Sequence, residues 1–138
     1  MLEAKVVETI AAGVDKLWPI LGNFRGVKAG GGIESVDFEG DGVGMTRHIH
    51  LANGTIVEQL ATYDDAAHQF SYAIVNDDGP LPFADYSAVV KLTEDGNGVT
   101  TVEWTGSFNA RGVSDEQAVQ IATGIYKNGI EQARKAVS

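Results

Sequence analysis

The last twenty-five residues, Ser114 to Ser138, constrain the fold most, because they read as one long amphipathic helix that must bury a face. Ser114 and Gln117 begin it as a capping box, in which each side chain can bond a backbone N–H that the first turn leaves without a partner. Acidic residues follow this cap and basic residues precede the end, as the helix dipole favours. The sequence therefore predicts a terminal helix that lies against another layer.

The predicted apolar face of this helix is unusually small. Gly129 lies near its centre, where glycine costs about 1 kcal/mol of helix propensity relative to alanine. Two reasons for a glycine there remain open, close packing of the backbone or room for a ligand. The face comprises Ala118, Ile121, Ala122, Ile125, Gly129, Ala133 and Ala136.

Composition excludes several classes of function. Ten Lys and Arg against nineteen Asp and Glu give a net charge of −9, which argues against binding to nucleic acid or anionic membranes. The chain has no cysteine, which excludes disulfides and thiolate catalysis. It also has no run of about eighteen apolar residues, the length that a membrane-spanning helix needs. We expect one domain over residues 1–138, cytoplasmic, with no membrane insertion and no cofactor.

Apolar and polar residues alternate in about seven segments, which is typical of β-strands with one buried face. Two short helical segments, 14–21 and 23–27, follow the first strand. This order predicts an α+β fold in which a curved antiparallel sheet wraps the terminal helix. The predicted strands cover residues 2–10, 33–38, 43–51, 69–75, 86–92 and 100–108, with one more between Gly54 and Asp64.

The dipeptide Asn53-Gly54 is the clearest turn signal, because a type I′ hairpin needs positive φ at both central residues. With these two residues as the loop, the register pairs Leu51 with Ile56, Ile49 with Glu58, and Arg47 with Leu60. That side of the hairpin is the more apolar one. It therefore places Glu58 and Arg47 inward, as diagonal neighbours.

Two other patterns, a pair of histidines and a cluster of glycines, do not predict a binding site. His48 and His50 share the opposite face of their strand, but the sequence supplies no third ligand, so no metal site is predicted. The glycines Gly40, Gly42 and Gly44 lead into a strand, whereas a phosphate-binding loop opens a helix. We interpret them as a turn.

Taken together, several motifs resemble the helix-grip superfamily (SRPBCC) of START, Bet v 1 and polyketide cyclase/dehydrase domains, most closely its bacterial polyketide cyclase/dehydrase-type members. The resemblance covers nearly the whole chain. It rests on Ile10-Ala11-Ala12 followed by Val14, Leu17 and Trp18, on Gly42 to Arg47, on Leu60 to Asp65, on Gly79 to Tyr86, and on Val102-Glu103-Trp104.

This resemblance implies a hydrophobic cavity between sheet and terminal helix, opening between the hairpin at Ala52–Gly54 and the loop Gly79–Pro82. In the related plant abscisic acid receptors these two loops act as gate and latch. Both loops differ here from the receptor sequences, so hormone sensing and phosphatase docking are not carried over. The positions that match cavity-lining residues are Ile49, Leu51, Glu58, Tyr72, Ile74, Tyr86, Trp104, Ile121, Ile125 and Gly129.

Three functions follow as hypotheses. The first is binding of a small hydrophobic or aromatic molecule of polyketide, lipid or terpenoid type, anchored by Glu58 and Arg47. The second is a polyketide cyclase, dehydratase or aromatase in which Glu58 and Tyr86 transfer protons. The third is an interaction module whose lid residues Leu81 and Phe83, otherwise ligand contacts, form a protein or homodimer contact. Glu58 and Arg47 could also be only a buried salt bridge that holds the register.

Overall fold

Seven alternating segments form one antiparallel sheet in the computed structural model, which describes residues 1–138. The predicted α+β helix-grip architecture is confirmed. A short helix and a 3₁₀ turn follow the first strand, and a long helix ends the chain. The elements are β1 (Leu2–Ile10), α1 (Val14–Leu21), the 3₁₀ turn (Phe24–Gly26), β2 (Ile33–Glu39), β3 (Thr46–Leu51), β4 (Gly54–Asp64), β5 (Gln69–Ile74), β6 (Phe83–Glu94), β7 (Thr100–Ala110) and α2 (Asp115–Val137).

The sheet has the strand order β1-β7-β6-β5-β4-β3-β2, so only β1 and β7 pair across a long stretch of sequence. Register shifts interrupt β4 between Leu60 and Thr62 and β6 between Ala84 and Ser87. Such bulges bend a strand and increase its twist. The bent sheet has one concave face, and α2 lies on it against β1 and β7.

Helix α2 begins at the predicted capping box, with Gln117 N–H donating to Ser114 Oγ over 3.1 Å. Neither helix of the chain has the length and hydropathy that crossing a lipid bilayer requires. At the other end, Arg134 donates to the Thr9 carbonyl over 2.8 Å and pairs with Glu8 over 2.9 Å. These contacts fix the helix against the first strand.

The predicted buried face of α2 is wrong at three positions, because Ile121 and Ile125 are 39% and 40% exposed and Ala136 is exposed as well. The residues that face the core are Ala118, Ala122, Tyr126, Ile130 and Ala133. A helix turns by about 100° per residue, and Ala118, Ala122 and Ala133 belong to both stripes, so the observed stripe is rotated from the predicted one by roughly half that angle. Both stripes are apolar, and the sheet selects the one that carries a tyrosine.

The predicted hairpin register is wrong by two residues. Ala52 and Asn53 form the turn, and Gly54 already pairs with Leu51. Gly54 adopts a φ of +149° and lies beside the ring of Pro80. A two-residue shift keeps every side chain on its predicted face. Its consequence is that Arg47 and Glu58 are direct cross-strand partners.

Candidate functional site

The most deeply buried charges of the molecule are a pair on the concave face of the sheet. Arg47 and Glu58 are 8% and 9% exposed, and Arg47 Nε donates to Glu58 Oε1 over 2.6 Å. Arg47 Nη1 donates to the Phe24 carbonyl over 3.0 Å, and the guanidinium lies 4.0 Å from the Phe24 ring centroid. Contacts from both the 3₁₀ turn and β4 thus fix the Arg47 side chain.

Beside this pair, three tyrosine hydroxyls form a chain of hydrogen bonds through the core. Tyr72 and Tyr86 come from β5 and β6, and their hydroxyl oxygens are 3.1 Å apart. Tyr126 comes from α2, and its hydroxyl is 2.6 Å from that of Tyr86. The indole Nε1 of Trp104 donates to the Tyr72 hydroxyl over 3.2 Å. The cluster therefore joins three strands to the helix by polar contacts.

The three tyrosine hydroxyls are protonated at neutral pH and can each donate one hydrogen bond. Burial, with the Glu58 charge as a second cause, raises the pKa of Tyr72 well above the usual phenol value. Burial also raises the pKa of Tyr86 well above it, and raises that of Tyr126 to about 12. Three protonated hydroxyls share two oxygen–oxygen contacts. Each contact uses one hydrogen, so one O–H is left to donate to another oxygen.

Trp104 connects this cluster to α2. Its ring stacks on Tyr126 with a centroid distance of 5.0 Å and an interplanar angle of 13°. A Cβ atom at Gly129 would lie 2.7 Å from Trp104 Cζ3, well inside van der Waals contact. Gly129 is thus explained by close packing, and the space that it leaves is taken by the indole.

A cleft of about 710 Å³ reaches this region from the surface. It opens between the segment 26–33, which joins the 3₁₀ turn to β2, and the C-terminal half of α2. Arg47, Phe70 and Trp104 lie on its inner wall. The other lining residues are Ile20, Leu21, Asn23, Gly26, Val27, Lys28, Ala29, Gly30, Gly31, Ile33, Asn128, Gly129, Gln132, Ala133 and Ala136.

Of the residues that the sequence assigned to a ligand site, the structure places only Arg47, Trp104 and Gly129 on this cleft. Glu58, Tyr72 and Tyr86 lie in the buried polar network next to it. Ile49 is buried, Leu51, Ile74 and Leu81 are half-buried, and Ile121 and Ile125 are exposed; none of these six lines the cleft.

Phe83 does not belong to a lid. It begins β6, is buried, and packs on Phe108 with a ring centroid distance of 4.7 Å. The sequence interpretation ended the loop too late, because the bulge after Ala84 hides the strand alternation there.

The opening expected between the hairpin and the following loop is closed by contacts. Asn76 Oδ1 accepts from Val57 N–H over 2.8 Å, and its Nδ2 donates to the Thr55 carbonyl over 2.8 Å. Arg111 donates to the carbonyls of Asp77, Gly79 and Leu81, the last two over 2.6 and 2.8 Å. The loop 76–82 is therefore tied to both the hairpin and β7, and the cleft opens elsewhere.

A second groove of about 670 Å³ lies between α1, the turn at 40–45 and the end of β4. It is wider open than the first. Trp18 stands beside it with its indole Nε1 donating to Asp65 over 2.8 Å, so its polar atom already has a partner. None of Arg47, Glu58 and the three core tyrosines lines this groove.

Sequence reasoning missed Tyr126 and Phe24. A signal for Tyr126 exists, since Ala118, Ala122, Tyr126, Ile130 and Ala133 recur at helical spacing as regularly as the stripe that was chosen. A second signal is Gly106 in β7, where an added Cβ would lie 1.9 Å from the Tyr126 hydroxyl. Phe24 gives no such signal, because its carbonyl and its ring both meet Arg47 from a short turn that has no apolar periodicity.

Comparison with known proteins agrees with this architecture. Residues 1–138 match the family described as "Polyketide cyclase / dehydrase and lipid transport". No curated protein matches the sequence.

Three solved structures are similar over nearly their whole length. The protein XoxI from Bacillus cereus has 27% identity and a TM-score of 0.85, with 99% of this chain and 95% of that chain covered. An uncharacterised protein from Bacillus thuringiensis has 26% identity and a TM-score of 0.83, covering 98% of each chain. A protein from Nitrosospira multiformis shares the fold at 17% identity and a TM-score of 0.74, covering 99% and 97%.

Proposed function

The chain belongs to the polyketide cyclase / dehydrase and lipid transport family, and from that premise we propose that it binds a small, largely apolar molecule that carries at least one oxygen. The observation that carries this proposal is the cleft of about 710 Å³ that runs from the surface to Arg47. Its volume is within the range of about 300–1,000 Å³ that small-molecule sites occupy. Its inner wall combines two aromatic rings with one buried cation, and such sites typically pair apolar walls with few polar groups.

The polar network supports binding more directly than proton transfer. Glu58 is already engaged by Arg47, and the strongly raised pKa of Tyr86 keeps its hydroxyl protonated. A group with such a pKa is a poor general base near neutral pH. The Tyr86 hydroxyl is engaged by Tyr72 and Tyr126 and does not line the cleft, so Arg47 is the buried donor on the wall that can meet a carbonyl or hydroxyl oxygen.

A fluorescence titration tests the proposal. Trp104 stacks on Tyr126 at the cleft wall, whereas Trp18 lies outside it, so a Trp18→Phe variant leaves Trp104 as the only indole emitter. We expect saturable changes in emission as polyketides, flavonoids, terpenoids or fatty acids are added, and displacement of the neutral dye Nile red by the same compounds. If the folded protein responds to none of these classes, the binding proposal is wrong.

A second candidate is catalysis of the cyclase or dehydratase kind, which the family description favours. In this case the substrate would reach past Arg47 on the cleft wall into the buried network, where the spare tyrosine O–H would polarise its carbonyl and Glu58, released from Arg47, would remove a proton. Glu58→Gln keeps the shape of the side chain but removes its basicity. Loss of product by at least about 100-fold with unchanged ligand affinity would support an enzyme. A loss of affinity alone would leave Glu58 as an anchor.

A further inference from the structure

The charged residues of the cleft are all of one sign. None of the nineteen Asp and Glu residues lines it, although the whole chain carries a net charge of −9. The two charged residues that do line it are Arg47, at the inner wall, and exposed Lys28, on the segment 26–33 at the mouth. Composition alone would favour acidic residues about two to one, so this cationic lining is a property of the site.

Arg47 also has a donor to spare. Its Nε and Nη1 have acceptors in Glu58 and Phe24, whereas Nη2 has none within the protein. The residue is nine-tenths buried and lines the cleft. No side-chain nitrogen or oxygen of the protein is both fully buried and without a partner, so Nη2 is open to solvent and free to donate to an acceptor that enters the cleft.

The charged groups in and beside the cleft favour one kind of hydrogen-bond acceptor over another. Arg47 and Lys28 are positive and Glu58 is negative, which leaves one positive charge for a bound group to neutralise. A carboxylate has one negative charge and two oxygens that fit a guanidinium edge, whereas a phosphate monoester is close to a dianion at neutral pH. Hydrogen bonds between ionised partners are roughly twice as strong as neutral ones.

Building on the proposed function, we propose that the ligand is a monoanionic amphiphile, a carboxylic acid with an apolar body. It enters between the segment 26–33 and α2. Its carboxylate accepts from Nη2 of Arg47 with Lys28 adding attraction at the mouth, while its body lies on Phe70 and Trp104.

Matched probes that differ only in the head group test this. The uncharged dye Nile red is displaced from the full chain by dodecanoate and, separately, by 1-dodecanol at pH 7.5 and low salt. Dodecanoate is kept below its micelle concentration and 1-dodecanol below its solubility limit. We expect dodecanoate to bind at least about tenfold more tightly, since one charge-assisted contact replaces a neutral one. Equal affinities of acid and alcohol would overturn the inference and leave the binding function standing. Displacement by neither would also overturn the inference, and the binding function would then be decided by the wider panel of compounds.

Two variants locate the preference. Lys28→Glu, at an exposed position, should weaken dodecanoate binding several-fold and leave 1-dodecanol unchanged. Lys91→Glu makes the same change in net charge on an exposed residue away from the cleft and is the control. Equal effects of the two variants would assign the preference to the overall field and contradict the site.

The other test variant, besides Lys28→Glu, combines Arg47→Met with Glu58→Gln. It removes both buried charges together, so that no lone charge remains in the core. It should bind acid and alcohol within about twofold of one another if Arg47 holds the carboxylate. A retained tenfold preference in this folded double variant would also overturn the inference.

Discussion

At the scale of single residues, the two glycines of α2 have opposite roles. Gly124 is exposed, and an added Cβ would meet nothing within 4 Å, whereas at Gly129 it would meet the Trp104 ring at 2.7 Å. We predict that Gly124→Ala raises the free energy of unfolding by up to about 1 kcal/mol, the helix-propensity difference. Gly129→Ala should lower it by about 1–3 kcal/mol through overpacking, although it gains the same propensity.

Chemical denaturation of both variants and the parent protein measures this difference. The emission of Trp104 in a Trp18→Phe background is a second readout, which only Gly129→Ala should alter. If Gly129→Ala is as stabilising as Gly124→Ala, the packing of the Trp104 indole on α2 does not require a glycine at position 129.

The buried tyrosines give the protein a specific response to alkaline pH. In the unfolded chain tyrosines ionise near pH 10. In the folded chain the raised pKa values of Tyr72, Tyr86 and Tyr126 keep them protonated to higher pH. Above about pH 10 the unfolded state therefore binds fewer protons than the folded one, and the free energy of unfolding falls as pH rises. Below pH 10 both states are protonated and the tyrosines add no slope.

Each such tyrosine contributes a slope of about 1.4 kcal/mol per pH unit once its unfolded form is ionised. Urea denaturation between pH 8 and pH 11 measures the slope. Tyr86→Phe removes one ionisation, so the slope should decrease by up to about 1.4 kcal/mol per pH unit relative to the parent. An unchanged slope in this variant would show that Tyr86 ionises equally in both states.

At the scale of elements, Arg111 at the end of β7 holds the loop 76–82 by three backbone carbonyls. Arg111→Gln removes a charged donor group, which we expect to lower the free energy of unfolding by about 2 kcal/mol. It should also increase amide hydrogen exchange in residues 77–81 at least tenfold. The control is Arg25→Gln, which removes an arginine from a different loop contact, at Gly40. Unchanged exchange in Arg111→Gln would mean that Pro80 and Asn76 suffice to hold the loop.

The elements themselves are predictable from the sequence, and their mutual positions are not. Alternation marks each strand because one face is buried, and Ser114 with Gln117 marks the helix start. The rotation of α2 depends on whether Ile125 or Tyr126 fits the sheet, and the room for the Tyr126 hydroxyl is left by Gly106, twenty residues away. Likewise, Gly54 belongs to β4 rather than to the turn and lies beside Pro80 of the next loop, a contact that the Asn53-Gly54 dipeptide alone does not indicate. Contacts between distant segments carry this information, and local patterns do not.

Part of the candidate site could likewise be predicted from the sequence, and part of it could not. Arg47 and Glu58 were found because polar residues on the inward face of a strand are unusual, and the two-residue error in register preserved their face. The position of the cleft was not found, because it depends on which loops touch. The family resemblance placed the opening at the hairpin, where this chain has a set of hydrogen bonds instead.

At the scale of the whole molecule, the position of the opening predicts where a ligand protects the protein. With dodecanoate at about 100 times its dissociation constant, the free energy of unfolding should rise by about 2.7 kcal/mol. Amide protection should increase in residues 26–33 and 128–136, which border the cleft. Residues 52–54 and 76–82 should not respond. Protection confined to those two loops would instead place the opening where the family resemblance implied.

The contact between Gly129 and Trp104 also supplies a reporter that requires no label. The glycine hydrogen that stands in place of a Cβ points at the indole, where a carbon would be 2.7 Å from the ring. In a proton NMR spectrum this hydrogen experiences the ring current, so its resonance is displaced from the usual glycine position. Any molecule that enters the cleft and moves the indole must move that resonance, and a single well-separated signal then reports occupancy of the site.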